Sequence, residues 1–75
     1  MRFGDAVRHL RELEGLGLDA LAFASDLEPE RLDALEREET SPDLDEIARL
    51  ARVLGLQSWE LVRFAELNMS ASSRG

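Results

Sequence analysis

The stretch that decides the fold of this chain reads GLGLDALAFASDLEPERLDALEREETSP, from residue 15 to residue 42. Its apolar residues recur at helical spacing and fall where two short helices would pack against each other. The inward positions are Leu21, Ala22, Leu32 and Leu35. The second helix is strongly acidic, because residues 26–39 carry seven carboxylates and two arginines, which is −5 of the net charge of −7. The pattern predicts a packed pair of helices with an acidic surface that needs its own explanation.

The composition bounds the class of protein. The chain has 75 residues, no cysteine and 44% hydrophobic residues, which predicts one small domain with a compact core and no disulfide. No apolar run is long enough for a membrane span or a secretory signal, so we expect no membrane association and a cytoplasmic location. The pI near 4.5 argues against general affinity for nucleic acids.

Helical periodicity extends on both sides of the central stretch. Helices are predicted over residues 3–14, 18–25 and 29 to about 37, and Pro29 with its flanking carboxylates opens the third. Ser41, Pro42 and Asp43 form the start signal of a fourth helix, which ends at Gly55. The apolar stripe predicted for this fourth helix consists of Leu44, Ile47, Ala48, Ala51 and Leu54.

A fifth helix follows, and Ser58 is its predicted cap. The chain then becomes small and polar from about residue 68, with the sequence NMSASSRG. We see no strand pattern and no internal repeat. The prediction is an all-α domain of five helices over residues 1–67, followed by a flexible C-terminal tail over residues 68–75.

An ordered set of short motifs is spread over nearly the whole chain. The motifs are Leu10-Arg11-Glu12, Gly15-Leu16, Leu21-Ala22, Leu32 with Leu35-Glu36, Pro42, and Leu54-Gly55. The set resembles the Cro/repressor-type (Xre) helix-turn-helix family over roughly residues 3–67. The resemblance implies a five-helix, lambda-repressor-like bundle. It also implies a structural ion pair between Arg11 and Glu36, which ties the first helix to the end of the third.

The resemblance implies a small stand-alone transcriptional regulator that binds a double-stranded DNA operator. The residues facing the groove or the DNA backbone would then be Glu30, Arg31, Asp33, Ala34 and Arg37. Several positions depart from the family pattern, namely Gly17 at the helix-two cap, Leu18 in place of a common Gln, and Asp26 and Glu38 in place of glycines. With so few usable cations, we expect weak DNA binding at physiological salt.

An alternative is a helix-turn-helix that has been repurposed as a protein–protein interaction module and does not itself bind DNA. It would dock to a basic partner or modulate another regulator. The candidate protein contacts are Leu18, Phe23, Trp59 and Val62, because large apolar side chains at the surface mark contact sites. The resemblance also implies a homodimer through the fifth helix, with contacts at Trp59, Val62, Arg63 and Leu67. The acidic surface of residues 26–39 is a solvated surface, a docking surface for a basic partner, or a mimic of the charge of DNA.

Catalysis is not expected. His9 is the only histidine and is predicted to lie on the solvent side of the first helix. The sequence offers no nucleophile with a base at useful spacing, no phosphate-binding glycine loop and no cluster with metal-ligand spacing. We therefore predict no enzyme activity, no cofactor and no metal.

Overall fold

The computed structural model describes the backbone of residues 2–74 and the side chains of residues 2–66. It contains five helices and, within the described residues, no strand. The helices are α1 (Phe3–Leu13), α2 (Leu18–Ala24), α3 (Pro29–Glu36), α4 (Leu44–Val53) and α5 (Ser58–Arg74). No helix of this described part is long and apolar enough to cross a membrane. The predicted all-α, five-helix architecture is confirmed.

A single apolar core joins the helices. Helix α1 lies against α3 and α5, α2 lies against α3 and α4, and α4 lies against α5. The most deeply buried large side chains come from all five helices and include Val7, Leu21, Leu32, Leu35, Leu50 and Leu61. The four residues that mark the central stretch as a helix pair are all buried, so the apolar spacing of that stretch identified the centre of the fold.

The start of α4 differs from the prediction. Asp43 is the N-cap rather than Ser41, because its Oδ1 accepts a hydrogen bond from the Glu46 backbone N–H at 2.8 Å. The Glu46 side chain completes a capping box by accepting from the Asp43 backbone N–H at 3.0 Å. Pro42 therefore precedes the helix, and α4 begins only at Leu44.

The apolar stripe of α4 also differs from the predicted one. Leu44 lies in the first turn with 85% of its surface exposed, and Ala48, one turn later, is exposed as well. The residues that lie in or against the core are Ile47, Leu50, Ala51, Val53 and Leu54, so Leu50 and Val53 take the place of Leu44 and Ala48 in the predicted stripe. Leu44 and Ala48 lie four residues apart and share the outer side of the helix, which explains why both leave the core.

Helix α5 begins at Ser58, so the predicted cap is instead its first residue, and the carbonyl of Gln57 accepts from the Leu61 backbone N–H at 3.2 Å. The Gln57 backbone N–H, just before the helix, donates to Glu60 Oε1 at 2.7 Å. The helical backbone continues through residues 68–74, for which the sequence predicts a tail beyond the domain. The side chains of residues 67–75 lie outside the described residues, so the boundary at residue 67 and the flexibility of the tail stay predictions.

Two non-glycine residues adopt left-handed backbone geometry where the Xre family usually has glycine. They are Asp26, with a φ of 58°, and Glu38, with a φ of 64°. Each ends a helix of the central unit, α2 or α3. Aspartate tolerates this geometry better than most residues, whereas glutamate has no such preference.

A contact of the Glu38 side chain accounts for its position. The Glu38 carboxylate accepts a hydrogen bond from the Gly4 backbone N–H, in the first turn of α1. A side chain at Gly4 would collide with the Glu38 carboxylate and with the carbonyl oxygens of Leu35 and Glu36. Gly4 therefore allows the start of α1 to approach the end of α3, and Glu38 satisfies a backbone N–H there.

Candidate nucleic-acid interface

Helix α3 presents a polar outer face to solvent. Glu30 is exposed in its first turn, next to Pro29 at its first position. Asp33 is partly exposed one turn further on, and its Oδ2 lies 3.2 Å from Nε of Arg37. Ala34 is half-buried and offers no hydrogen bond. This face therefore holds one free carboxylate and one carboxylate that Arg37 neutralises.

Arg31 lies apart from that face, because its guanidinium is directed at α4. Its Nε and Nη2 each donate to one oxygen of Glu46, both at 2.8 Å. Nη1 also donates to Thr40 Oγ1 at 3.0 Å, and Nη2 donates to the Ser41 carbonyl at 3.1 Å. The sequence-based prediction placed Arg31 among the DNA contacts. In the structure its N–H groups donate instead to acceptors in the α3–α4 connection and in α4.

The electrostatics of the Arg31–Glu46 pair agree with this geometry. Hydrogen bonds from Arg31 hold the pKa of Glu46 at about 2, against an ordinary 4.5, although burial of the carboxylate opposes the shift. The Asp43 backbone N–H and the charge of Arg49 lower the same pKa further. The hydrogen bond to Glu46 also raises the pKa of Arg31. Glu46 is therefore ionised across the physiological range, and the pair is permanent there.

A second ion pair braces the other end of α3. Arg11 donates from Nε and Nη2 to the two oxygens of Glu36, at 2.8 and 2.9 Å. Arg11 Nη1 also donates to the Leu16 carbonyl at 3.0 Å, and both charged groups are largely buried. The hydrogen bond to Glu36 raises the pKa of Arg11. This is the structural ion pair that the family resemblance implies, and it removes Glu36 from the surface acids.

A third arginine has a structural role that the sequence reasoning missed. Arg49 of α4 donates from Nη1 to the Asp26 carbonyl at 2.8 Å, and so contacts the turn between α2 and α3. Its Nη2 lies 3.0 Å from Asp45 Oδ2. The only signal in the sequence was the four-residue spacing of Asp45 and Arg49, which indicates a pair on one helix face but not the contact with the turn.

Because Arg11, Arg31 and Arg49 bind other parts of the domain, few arginines remain that could contact a ligand. Within the part of the chain whose side chains are described, Arg8 and Arg37 form surface ion pairs. Arg2, Arg52 and Arg63 are exposed and form no ion pair within that part. Arg37 is consequently the one arginine of the α3 segment whose guanidinium is not committed to the scaffold.

The predicted protein contacts fall into two groups. Phe23 and Trp59 are 88% and 63% exposed, which is unusual for large aromatic side chains. Leu18 and Val62 are half-buried, and Leu18 packs against the core. His9 is exposed as predicted, and its ring stacks on Phe64 with 6.1 Å between the ring centres. Leu18 is thus a weaker contact candidate than Phe23.

Comparisons with known proteins agree with this architecture. The chain matches the helix-turn-helix family HTH_3 over residues 7–59. A search of curated protein sequences gives no significant match. Among solved structures, the chain is similar to the clp gene regulator ClgR from Corynebacterium glutamicum, with 28% identity and a TM-score of 0.87. That alignment covers 96% of this chain and 77% of ClgR.

A second similar structure is the restriction-modification controller protein C.AhdI from Aeromonas hydrophila. It is 36% identical, with a TM-score of 0.75, over 79% of this chain and 89% of that protein. Both proteins are regulators by their names, so the alternative of an interaction module without regulatory DNA binding is not favoured. The chain belongs to the helix-turn-helix family and is a small Xre-type helix-turn-helix transcriptional regulator.

Proposed function

We propose that the protein binds a double-stranded DNA operator through the outer face of α3. The observation that carries the proposal is the difference between the two sides of this helix. Its inner side is buried in the core and braced by Arg11–Glu36 and Arg31–Glu46, while Glu30, Asp33 and Arg37 stay accessible. A rigid helix with a free polar face is what insertion into a major groove requires.

The chemistry of this face narrows the kind of readout. Glu30 and Asp33 accept hydrogen bonds, and cytosine N4 is the base donor that carboxylates accept from in the major groove. Arg37 donates to a guanine edge or to a phosphate once DNA displaces it from Asp33. Ala34 is suited only to apolar contact, such as with a thymine methyl group. Arg31 takes no part, because Glu46 holds its guanidinium.

The affinity of the protein for the DNA phosphates would depend on two arginines near the C-terminal end of α3. Arg37 directly follows α3, and Arg2 precedes α1, whose first turn contacts Glu38 at the same end. Two phosphate contacts in each protomer give four in a dimer. The logarithm of the binding constant should then fall with the logarithm of salt with a slope of about −4.

The active species in this proposal is a homodimer that pairs through α5. Trp59 is exposed near the start of α5, and Val62 lies one turn further along at half burial. Arg63 is exposed beside them, whereas the side chain of Leu67, another predicted contact, lies outside the described residues. A two-fold dimer would place two α3 helices in successive major grooves, about 34 Å apart. The proposed regulator is cytoplasmic and not an enzyme.

A salt-titrated mobility shift on the promoter region of the protein's own gene tests the proposal. We expect a retarded complex at about 50 mM salt, where the electrostatic contribution is near its strongest, and its loss well before 500 mM. Arg37→Gln should weaken the complex, and Arg52→Gln, on α4, serves as a control with the same charge change. Absence of any shift of the wild-type protein at the lowest salt would refute DNA binding.

A further inference from the structure

The structure assigns a second interaction site, which we call the Phe23 groove, to the outer side of α2 and the turn that follows it. We propose that this groove docks a segment of another protein that presents an apolar side chain flanked by arginines or lysines. The site lies outside the Asp33–Arg37 part of α3 and goes beyond the proposed DNA binding.

The groove is lined by apolar side chains and carboxylates together. It encloses about 500 Å³, and its lining is Asp19, Phe23, Asp26, Leu27, Glu28 and Pro29. Phe23 is 88% exposed, whereas Leu27 packs its inner side against the core. Transfer of a large exposed aromatic side chain from water to contact with a partner's apolar group is favourable.

The charge around the groove specifies the partner. From residue 12 to residue 30 the chain has six carboxylates and no cation. Three of these carboxylates, on Asp19, Asp26 and Glu28, belong to the groove itself. Arg49 is the nearby cation, but its Nη1 lies 3.8 Å from Asp26 Oδ2 while its main contacts are Asp45 and two backbone carbonyls. The groove lining therefore stays net negative and complements a cationic segment.

The same charge argues against two other occupants. DNA would bring phosphates next to three carboxylates, which is repulsive. A second copy of the chain would bring acid to acid at Leu13 and Leu44, two other exposed large apolar residues among the described side chains, because both lie next to carboxylates. Leu13 lies between Glu12 and Glu14, and Leu44 lies between Asp43 and Asp45, whereas Trp59, which has Arg63 beside it, is taken up by the proposed dimer contact of α5. A different protein with apolar and cationic groups together satisfies both parts of the groove.

The test uses three fluorescein-labelled helical peptides and fluorescence anisotropy at low protein concentration. The first peptide carries leucines at i and i+4 flanked by arginines, the second has the leucines replaced by serine, and the third has the arginines replaced by glutamate. We expect saturable 1:1 binding of the first peptide only, with chemical-shift changes centred on Phe23. Phe23→Ser should weaken that binding about tenfold, as truncation of an anchor residue does at other interfaces.

Matched variants distinguish binding in the Phe23 groove from attraction to the overall negative charge of the protein. Leu44→Ser removes an equally exposed apolar side chain elsewhere and should leave the affinity unchanged. Asp19→Asn with Asp26→Asn should weaken binding, and asparagine keeps the tolerance for left-handed geometry that position 26 needs. Equal binding of the serine peptide, or equal losses in Phe23→Ser and Leu44→Ser, would overturn the proposal. So would self-association that Phe23→Ser abolishes, since the groove would then belong to a second copy.

Discussion

Arg31 and Glu46 form a two-point ion pair, with Nε to Oε2 and Nη2 to Oε1 both at 2.8 Å. The same Glu46 side chain accepts from the Asp43 backbone N–H and so completes the capping box of α4. One carboxylate thus joins the helix that would read DNA to the first turn of the next helix. The orientation of α3 in the domain depends on this junction and on the Arg11–Glu36 pair at its other end.

The Arg31–Glu46 junction predicts an acid-sensitive fold. The pKa of Glu46 is about 2 in the folded protein and near 4.5 when unfolded, so the folded state binds fewer protons between these values. The stability due to Glu46 is complete above pH 4.5 and is lost as the pH falls toward 2. We expect Glu46→Gln to lower the melting temperature at pH 7, and the gap from wild type to close across this window. A gap that stays constant from pH 7 to pH 2 would contradict the assigned role.

The Arg11–Glu36 pair predicts a large asymmetry between buried and surface ion pairs. Arg11→Met leaves the Glu36 carboxylate buried without its cation and should lower the free energy of unfolding by about 3–5 kcal/mol. Arg8→Met breaks the exposed Arg8–Asp5 pair and should cost under about 1 kcal/mol. Urea denaturation measures the free energy of unfolding of both variants. A stabilising osmolyte is added to all samples, because Arg11→Met is otherwise close to unfolding. Similar losses of unfolding free energy in the two variants would show that the Arg11–Glu36 pair stabilises the fold no more than a surface pair does.

The fold was predictable because local signals in the sequence agreed with one another. Pro29 at the first position of α3, the glycines at helix ends and the spacing of Leu32 and Leu35 all indicated the same arrangement. The start of α4 was misplaced because Ser41, Pro42 and Asp43 are all acceptable starting residues. Only the reciprocal hydrogen bonds with Glu46 select Asp43, and these require the folded geometry.

The use of the arginines was only partly predictable. The Arg11–Glu36 pair followed from a family pattern, but nothing in the sequence around Arg31 indicates a carboxylate fifteen residues further on. Arg49 likewise contacts backbone carbonyls, which have no sequence signature. Ion pairs between distant helices depend on how the helices pack. The sequence alone therefore does not show which arginines remain able to contact DNA.

The close approach of α1 to α3 predicts that Gly4 does not accept a side chain. An added Cβ would lie 2.7 Å from the Glu36 carbonyl oxygen, in addition to its collisions with Leu35 and Glu38. Backbone atoms cannot move aside, so we expect Gly4→Ala to lower the free energy of unfolding by about 1–3 kcal/mol. Thermal unfolding followed by circular dichroism measures the loss. A variant as stable as wild type would show that the two helices separate freely.

The start of α2 predicts a stabilising substitution. Gly17 is the N-cap, has extended geometry with a φ of −75° and makes no side-chain cap hydrogen bond. A Cβ added at this position would meet no atom within 4 Å beyond its chain neighbours, so Gly17→Ser fits without strain. A hydroxyl cap and a less flexible unfolded chain should together add about 0.5–1 kcal/mol. Gly17→Ala, which has no hydroxyl, is the control, and it should remain less stable than Gly17→Ser in the same urea titration.

The acidic face of α3 predicts that charge reversal strengthens DNA binding. In Glu30→Lys with Asp33→Lys, two carboxylates become cations and Arg37 is released from its ion pair with Asp33. Nonspecific affinity should rise at least tenfold at low salt, and each new phosphate contact should steepen the salt slope by about 0.9. The slope is measured by anisotropy with a labelled duplex between 50 and 300 mM salt, a range of about sixfold.

The control for charge reversal is Glu12→Lys with Glu66→Lys, which makes the same change in net charge at exposed positions of α1 and α5. Long-range attraction alone would raise affinity equally in both double variants, because each changes the net charge by +4. Direct contact with phosphates instead steepens the slope only when the new lysines lie on α3, since counterions are released where the cation meets the duplex. An unchanged slope in the α3 variant would mean that this face points away from the DNA, and the operator contacts would have to be sought on another part of the chain.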